Sequence, residues 1–310
     1  MKTIEVALSQ VATLLKRGEP TIYIDYPVYA NIGDLLIQEG AERFFQLQGI
    51  VPERRYSHHI FFRRNLPKFP AGHTLVFQGG GNFGDLHHPF QALRECIIEN
   101  HHSHKIVILP QTIHYTAEDA LQRSSKILRG HPDLHIFCRD RKSHQLALNH
   151  FSSHAYLAPD MAHFLHPVSR TAACENRKLL LLRRDFEAAP AQSDSSGTAT
   201  SVDWDDLVPK SDYLLIRSFA VLHKLAAYCQ VSPSLYRPWR RVQQRAIGHM
   251  VAEFSRYCHV TSSRLHAHIL STLMGIPNTL IDNSYGKNSS YFEAWTHCIP
   301  TSSMSKLNAS

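Results

Sequence analysis

Thr21-Ile22-Tyr23-Ile24-Asp25, then Asn31-Ile32-Gly33-Asp34, then Leu36, Ile37, Phe44 and Phe45 at helical intervals: the reading of this stretch decides the fold. The first five residues read as a strand buried on both faces. Asn31 to Asp34 reads as a turn, and Leu35 to Leu47 as a helix. The unit then recurs. His73 to Gln78 reads as a strand, Gly79 to Asp85 as a loop and Pro89 to Asn100 as a helix. Lys105 to Leu109, Leu134 to Cys138 and Ala155 to Ala158 read as further strands, with helices near 117–129 and 140–151. Strands alternating with helices at this spacing need crossover connections, and so a parallel sheet covered by helices on both faces.

A second series starts at Lys178. Leu179 to Leu182 is a continuous apolar strand, as expected of a sheet covered on both sides. Ala188 to Ser201, rich in Ala, Ser and Thr, reads as a mobile loop. The spacing then predicts a strand at Tyr213–Ile216, helices at 219–229 and 238–254, and a strand at Tyr257–Thr261. A helix at 264–274, a strand at Asn278–Ile281 and a helix from 288 complete the series. With a linker at Pro167–Asn176, the expected architecture is α/β: two Rossmann-like domains, 1–169 and 170–310, with parallel sheets facing a central cleft.

Composition narrows the function classes. At 310 residues, 43% hydrophobic and 19% charged, the chain is neither disordered nor fibrous. Apolar runs are short, as in Leu179–Leu182 between Lys178 and Arg183, far from the roughly 20 residues that span a bilayer. Glu5 interrupts the N-terminal segment too early for a signal peptide. The expectation is a soluble, cytoplasmic protein. Its net charge of +7, with 22 histidines beside it, fits an anionic partner. The positive charges are dispersed, which argues against nucleic acid and for an anionic small substrate. Cys96, Cys138, Cys174, Cys229, Cys258 and Cys298 show no metal-ligand spacing and read as buried free thiols in a reducing compartment. No metal or cofactor is expected. The pairs His58-His59 and His87-His88 and the run His101-His102-Ser103-His104 lack a ligand pattern, while His163 and His166, three apart, could share a helical face.

The chemistry is expected in loops at strand ends. Gly79-Gly80-Gly81-Asn82-Phe83-Gly84-Asp85 follows a strand and precedes a helix, so its backbone can approach a ligand, but it lacks the spacing of a dinucleotide fingerprint or a P-loop. Asn31-Ile32-Gly33-Asp34 is a second Asn-x-Gly-Asp turn. Asp34 and Asp85 at one crevice would suit sugar hydroxyls or general-base work; the alternative is that each caps a helix. Pro110-Gln111-Thr112, Arg139-Asp140 and Pro159-Asp160 line the same rim, with Arg139 and Asp140 read as a local ion pair with a capping role. Arg183-Arg184-Asp185 ends the Leu-rich strand and offers two guanidinium groups to carboxylate or phosphate. Thr261-Ser262-Ser263-Arg264-Leu265-His266-Ala267-His268 is the strongest site. Arg264 and His266 fall at the start of a helix, where free amides favour an anion, and His268 is expected to pack.

In order and spacing, from about 21 to 295, these motifs resemble the polysaccharide pyruvyl transferase family. Gly275-Ile276-Pro277 and the lysine-bearing turn Tyr285-Gly286-Lys287 add to the likeness. The resemblance implies a fold similar to GT-B glycosyltransferases and transfer of pyruvate from phosphoenolpyruvate to a sugar, closing a ketal across two hydroxyls. It implies that Arg264, Leu265 through its backbone, His266, and Arg183 or Arg184 hold the donor. The acceptor sugar, lipid-linked or free, would then meet the N-terminal half at Asn31, Gly33, Asp34, Gly80, Gly81, Asn82, Asp85, Gln111 and Thr112. His266 would act as acid or phosphate stabiliser, with Asp34 or Asp85 as base. The His richness and the stretch 188–209 depart from the family pattern. Two other classes stay open: a nucleotide-sugar glycosyltransferase on the same scaffold, and a non-catalytic partner of exopolysaccharide machinery. A peripheral position at the inner face of the cell membrane is compatible with the basic balance.

Overall fold

Two parallel sheets frame the computed structural model, which describes residues 2–62, 67–185, 187–188, 201–231 and 234–305. The first sheet holds β1 (Thr21–Tyr26), β2 (Arg54–Ser57), β3 (Thr74–Phe77), β4 (Gly80–Gly84), β5 (Ile106–His114), β6 (Leu134–Cys138) and β7 (Ala155–Leu157). Their order is β2-β1-β3-β5-β6-β7, with β4 paired to β5. The second sheet holds β8 (Arg177–Leu181), β9 (Tyr257–Ser262), β10 (Asn278–Leu280) and β11 (Ser302–Met304) in the order β11-β10-β9-β8. All pairings between these strands are parallel. This is the α/β arrangement that strand–helix alternation predicts. The chain leaves the first sheet at Leu157 and joins the second at Arg177.

The helices, in chain order, are α1 (Lys2–Leu14), α2 (Ile32–Gln48), α3 (His88–Asn100), α4 (Glu118–Arg129), α5 (Arg141–His150), α6 (Trp204–Leu207), α7 (Lys210–Tyr228), α8 (Tyr236–Ser255), α9 (Leu265–Leu273) and α10 (Lys287–Tyr291). Asn31 starts α2 because its side-chain oxygen accepts from the Gly33 amide, and Gly49 ends it in the left-handed conformation. One apolar core runs from Leu36 and Phe44 of α2 through Trp239 and Phe254 of α8 to Ile269 of α9. It therefore joins the two sheets. A second core, with Phe77, Ile97 and Phe151, covers the other face of the first sheet. Polar ties cross the same junction: Gln243 Nε2 donates to the Leu35 carbonyl at 2.8 Å, and Arg240 pairs with Glu39.

Several expectations are corrected. Tyr213–Ile216 is not a strand but lies within α7, whose buried positions Asp212, Ile216, His223 and Ala227 follow a helical period. A four-residue apolar run reads equally as strand or helix, and here the neighbours extend it. Gly79–Asp85 is not simply a loop, since β4 pairs with β5. The strand expected to end at Leu109 continues to His114, carrying Gln111 and Thr112 into the sheet. Helix α1 and strands β2 and β11 lie outside the predicted elements. Most of the stretch read as a mobile loop, 189–200, lies outside the described residues. Of the six free cysteines only Cys138 is buried; Cys96, Cys174, Cys229 and Cys298 are exposed and Cys258 is half-buried. Cys96 and Cys229 sit on the outward side and at the end of surface helices, which an apolar local context does not reveal.

Candidate functional site

The loops beyond the carboxyl ends of both sheets meet around one cavity of about 380 Å³. From the first sheet come Tyr29, Asn31 and Asp34 after β1, Gly81 and Asn82 on β4, and Arg139 after β6. From the second come Arg183, Asp185 and Glu187 after β8, Arg264, Leu265 and His266 after β9, and Lys287 and Asn288 after β10. Strand order in the first sheet reverses between β1 and β3, where a doubly wound sheet opens a crevice for ligands.

Charge in the cavity is dense and paired. Arg264 donates to Asp203 from Nε at 2.8 Å and from Nη2 at 2.6 Å, and to Asp185 from Nη1 at 2.8 Å. Burial works against its charge, but Asp203 and Asp185 more than offset this and raise its pKa. Arg183 donates to Asp185 at 2.9 Å and to Glu187 at 2.6 Å. Lys287 Nζ lies 3.6 Å from Glu187. Burial brings the Lys287 pKa down to about 8, with Glu187 opposing and Arg139 and Arg183 adding to the fall. Burial pushes Glu187 up, yet Lys287, His87, Arg183 and Tyr285 together hold its carboxyl far below the usual range.

A second cluster crosses the cavity floor. Asp160, fully buried, accepts from Arg139 Nη1 at 2.5 Å and from the Ala162 amide at 2.9 Å, and its Oδ2 lies 3.3 Å from His266 Nε2. Burial alone would raise its pKa; the His266 charge and hydrogen bond, with Arg139, reverse that and keep it a carboxylate. Thr112 accepts from Arg139 Nε at 2.8 Å, which fixes the guanidinium plane. Gly33 lets the His266 ring rest on α2, since a Cβ there would stand 2.5 Å from Nδ1. Gly81 likewise admits Lys287, whose Nζ would be 2.7 Å from an added Cβ.

The structure therefore brings together Asn31, Asp34, Gly81, Asn82, Arg183, Arg264, Leu265 and His266 as cavity-lining residues. Tyr29 donates to Asp34 Oδ2 at 3.0 Å, which orients that carboxylate. Other sequence assignments are corrected. Asp85 is not at the cavity: its carboxylate accepts from the Thr116 and Ala117 amides and the Thr116 hydroxyl, so it acts as a cap. Arg184 turns away to Asp206 and the Ser201 carbonyl. Gln111 and Thr112 are buried behind the wall, where Gln111 Nε2 donates to the Gln78 carbonyl at 2.9 Å. Gly33 and Gly80 support the lining without forming it. Arg139 does not pair with Asp140. Asp140 caps α5 through Ser143, and Arg139 instead reaches across to Asp160. His268 packs, bonded to Asn278 and Thr296.

Sequence reasoning gave no cavity role to Lys287, Glu187 or Tyr29, and set Arg139 on the rim only as the partner of Asp140. A signal existed for Glu187: Arg183-Arg184-Asp185 continues to an acid four residues after Arg183. Behind the lining, Asp25 has left-handed backbone (φ 72°) at the end of β1 and is fully buried. Burial lifts its pKa to about 7, against the pull of Arg94, with Asp34 adding to the rise.

Comparison with known proteins accords with this geometry. The sequence pattern of polysaccharide pyruvyl transferases matches residues 31–285. The Bacillus subtilis protein named pyruvyl transferase EpsO is 38% identical over 97% of this chain and 93% of its own length. Pyruvyl transferase 1 of Schizosaccharomyces pombe is 29% identical, over 72% of this chain and 55% of that protein. A crystal structure of a functionally uncharacterised Klebsiella pneumoniae protein shares the fold, with a TM-score of 0.59, 20% identity, and coverage of 99% of this chain and 100% of the other. With its strand-end motifs gathered at one cavity and its sequence matched over nearly its whole length, this chain belongs to the polysaccharide pyruvyl transferase family.

Proposed function

We propose that this protein transfers pyruvate from phosphoenolpyruvate to a sugar residue of a polysaccharide or its precursor, forming a pyruvate ketal. The observation that carries the reading is the convergence of Arg139, Arg183, Arg264 and Lys287 with His266 on one cavity shared by both sheets. Phosphoenolpyruvate presents a carboxylate and a phosphate, which guanidinium groups bind in bidentate fashion. All three Arg264 side-chain nitrogens and those of Arg183 already hold carboxylates. A donor bound there takes the place of Asp185, the more exposed of the bridging acids.

The reaction follows as addition and elimination. His266 gives a proton to the donor's methylene carbon, and C2 becomes electrophilic. A sugar hydroxyl attacks C2 as Asp34 takes its proton. The C2–O bond to phosphate breaks, with the leaving charge stabilised by Lys287 and Arg183; a second hydroxyl closes the ketal and its proton passes to the departing phosphate, while the proton held by Asp34 restores His266. The products are the ketal and inorganic phosphate, so atoms and protons balance. The acceptor would sit toward Asn31, Asp34 and Asn82, and the donor toward Arg183, Arg264 and His266.

The test is thermal stabilisation of the purified protein by phosphoenolpyruvate and by a panel of nucleotide-sugars, in wild type and Arg264→Ala. Saturation at a hundred times Kd is worth about 2.7 kcal/mol. Stabilisation by phosphoenolpyruvate that Arg264→Ala abolishes is the expected result. Stabilisation by a nucleotide-sugar alone would replace this reading with a glycosyltransferase.

A further inference from the structure

We infer that the outward face of α7 docks on the surface of a lipid bilayer carrying anionic headgroups. The helix turns Ile216, His223 and Ala227 inward. The opposite side carries Leu214, Val221, Leu225 and Tyr228, which are 64%, 57%, 54% and 65% exposed. Their spacing sets them in one line along a helix of 19 residues, about 28 Å long. A helix covering a water-facing core places polar residues there; an apolar line on the solvent side marks a surface that meets another apolar phase.

Charge identifies that phase. Between Lys210 and Ala252 there are seven Lys and Arg residues and one acid, Asp212. Asp212 is itself buried against Arg245 and His249. Arg217 and Lys224 flank one side of the apolar line, and Arg237 and Arg241 are exposed on the adjoining α8. An apolar stripe with a basic rim is the pattern of a helix lying in the plane of an anionic interface. A twofold pairing of two copies would set two basic rims against each other with no exposed acid in this segment to neutralise them. Among the described residues no helix is long and apolar enough to cross a membrane, so the contact is peripheral.

The surface also adjoins the cavity. His223, on the inner side of α7, meets Ser57 at 3.3 Å. The next residue, His58, packs its ring 5.1 Å from Tyr29 and 5.4 Å from Phe90, both of which line the cavity. Docking by α7 thus holds the cavity beside the lipid surface, within reach of an acceptor carried there.

Flotation of the full chain with vesicles tests this, without reference to the reaction. Binding is expected to vesicles of phosphatidylcholine and phosphatidylglycerol in equal parts, and at least about tenfold weaker binding to phosphatidylcholine alone. Arg217→Gln with Arg241→Gln is expected to weaken binding to the mixed vesicles by about 25-fold. Leu214→Ser, Val221→Ser and Leu225→Ser together are expected to abolish flotation, with an unchanged thermal midpoint and unchanged stabilisation by phosphoenolpyruvate. That last measurement keeps a failure of donor binding separate from a failure of docking. The inference is overturned if the wild type does not float with the mixed vesicles, or if the triple variant floats as the wild type does. It is also overturned if light scattering finds a dimer that the triple variant converts to monomer.

Discussion

His266 Nε2 lies 3.3 Å from Asp160 Oδ2, and this contact joins the start of α9 in the second sheet's series to the turn that follows the first sheet. Asp160 also holds Arg139 at 2.5 Å. One buried carboxylate therefore orients two cavity side chains from different elements. Asp160→Asn is expected to lower kcat by about 10- to 1,000-fold and, because it leaves Arg139 buried without its counter-charge, to cost about 3–5 kcal/mol of stability. His266→Gln is expected to lose similar turnover while keeping stability within about 1 kcal/mol, because the ring retains some solvent access. Turnover and urea denaturation of both variants separate the two effects. Near-normal turnover in His266→Gln would remove it as the acid.

Two aspartates with the same sequence context have different surroundings. Asp34 faces the cavity and Asp85 caps the turn at Thr116. Asp34→Asn is expected to reduce kcat by about 10²- to 10⁴-fold with donor binding retained. Asp85→Ala should leave turnover per folded molecule unchanged and cost about 1 kcal/mol of stability. Steady-state kinetics paired with thermal unfolding reads both.

Lys287 sets a pH limit. Burial lowers its pKa from the ordinary 10.5 to about 8, so its positive charge is present below pH 8 and lost above it. Donor-dependent kcat/KM is expected to fall as pH rises through 8. Lys287→Arg should move that alkaline limb upward, because a guanidinium keeps its proton throughout this range. A wild-type profile that stays flat to about pH 10, the free-lysine range, would exclude Lys287 from donor binding.

Gly33 offers a test in which stability and activity part. It lies in the first turn of α2, where alanine is the better helix former by up to about 1 kcal/mol. A Cβ would nonetheless press on the His266 ring at 2.5 Å. Gly33→Ala is expected to keep or raise the thermal midpoint while turnover falls by about 10- to 100-fold. Combined with His266→Ala, it should cause little further loss.

Much of the fold was legible because a strand covered on both faces leaves a continuous apolar run, as in Ile22–Ile24 and Leu179–Leu182, and an intervening helix leaves its own period. Tyr213–Ile216 was misread because four apolar residues carry no period of their own; only the burial of His223 and Ala227, further along, makes them part of a helix. Strand β2 was missed because Arg54-Arg55-Tyr56-Ser57 is an edge segment, polar and half exposed, that owes its conformation to pairing with β1. The site was legible as a set of strand-end loops, since ligands in parallel sheets bind there whatever the chemistry.

The sequence by itself determined the α/β class, the order of the strand-end motifs and the family they resemble, because these depend on local periodicity and on spacing along the chain. Tertiary structure alone decided which members of each motif meet. Arg183 faces the cavity and Arg184 does not; Asp34 does and Asp85 does not; Arg139 passes over its neighbour Asp140 to reach Asp160. Adjacent side chains point to different sides of a strand end or turn, and the choice between them depends on packing and charge partners distant in sequence. No local pattern records those partners.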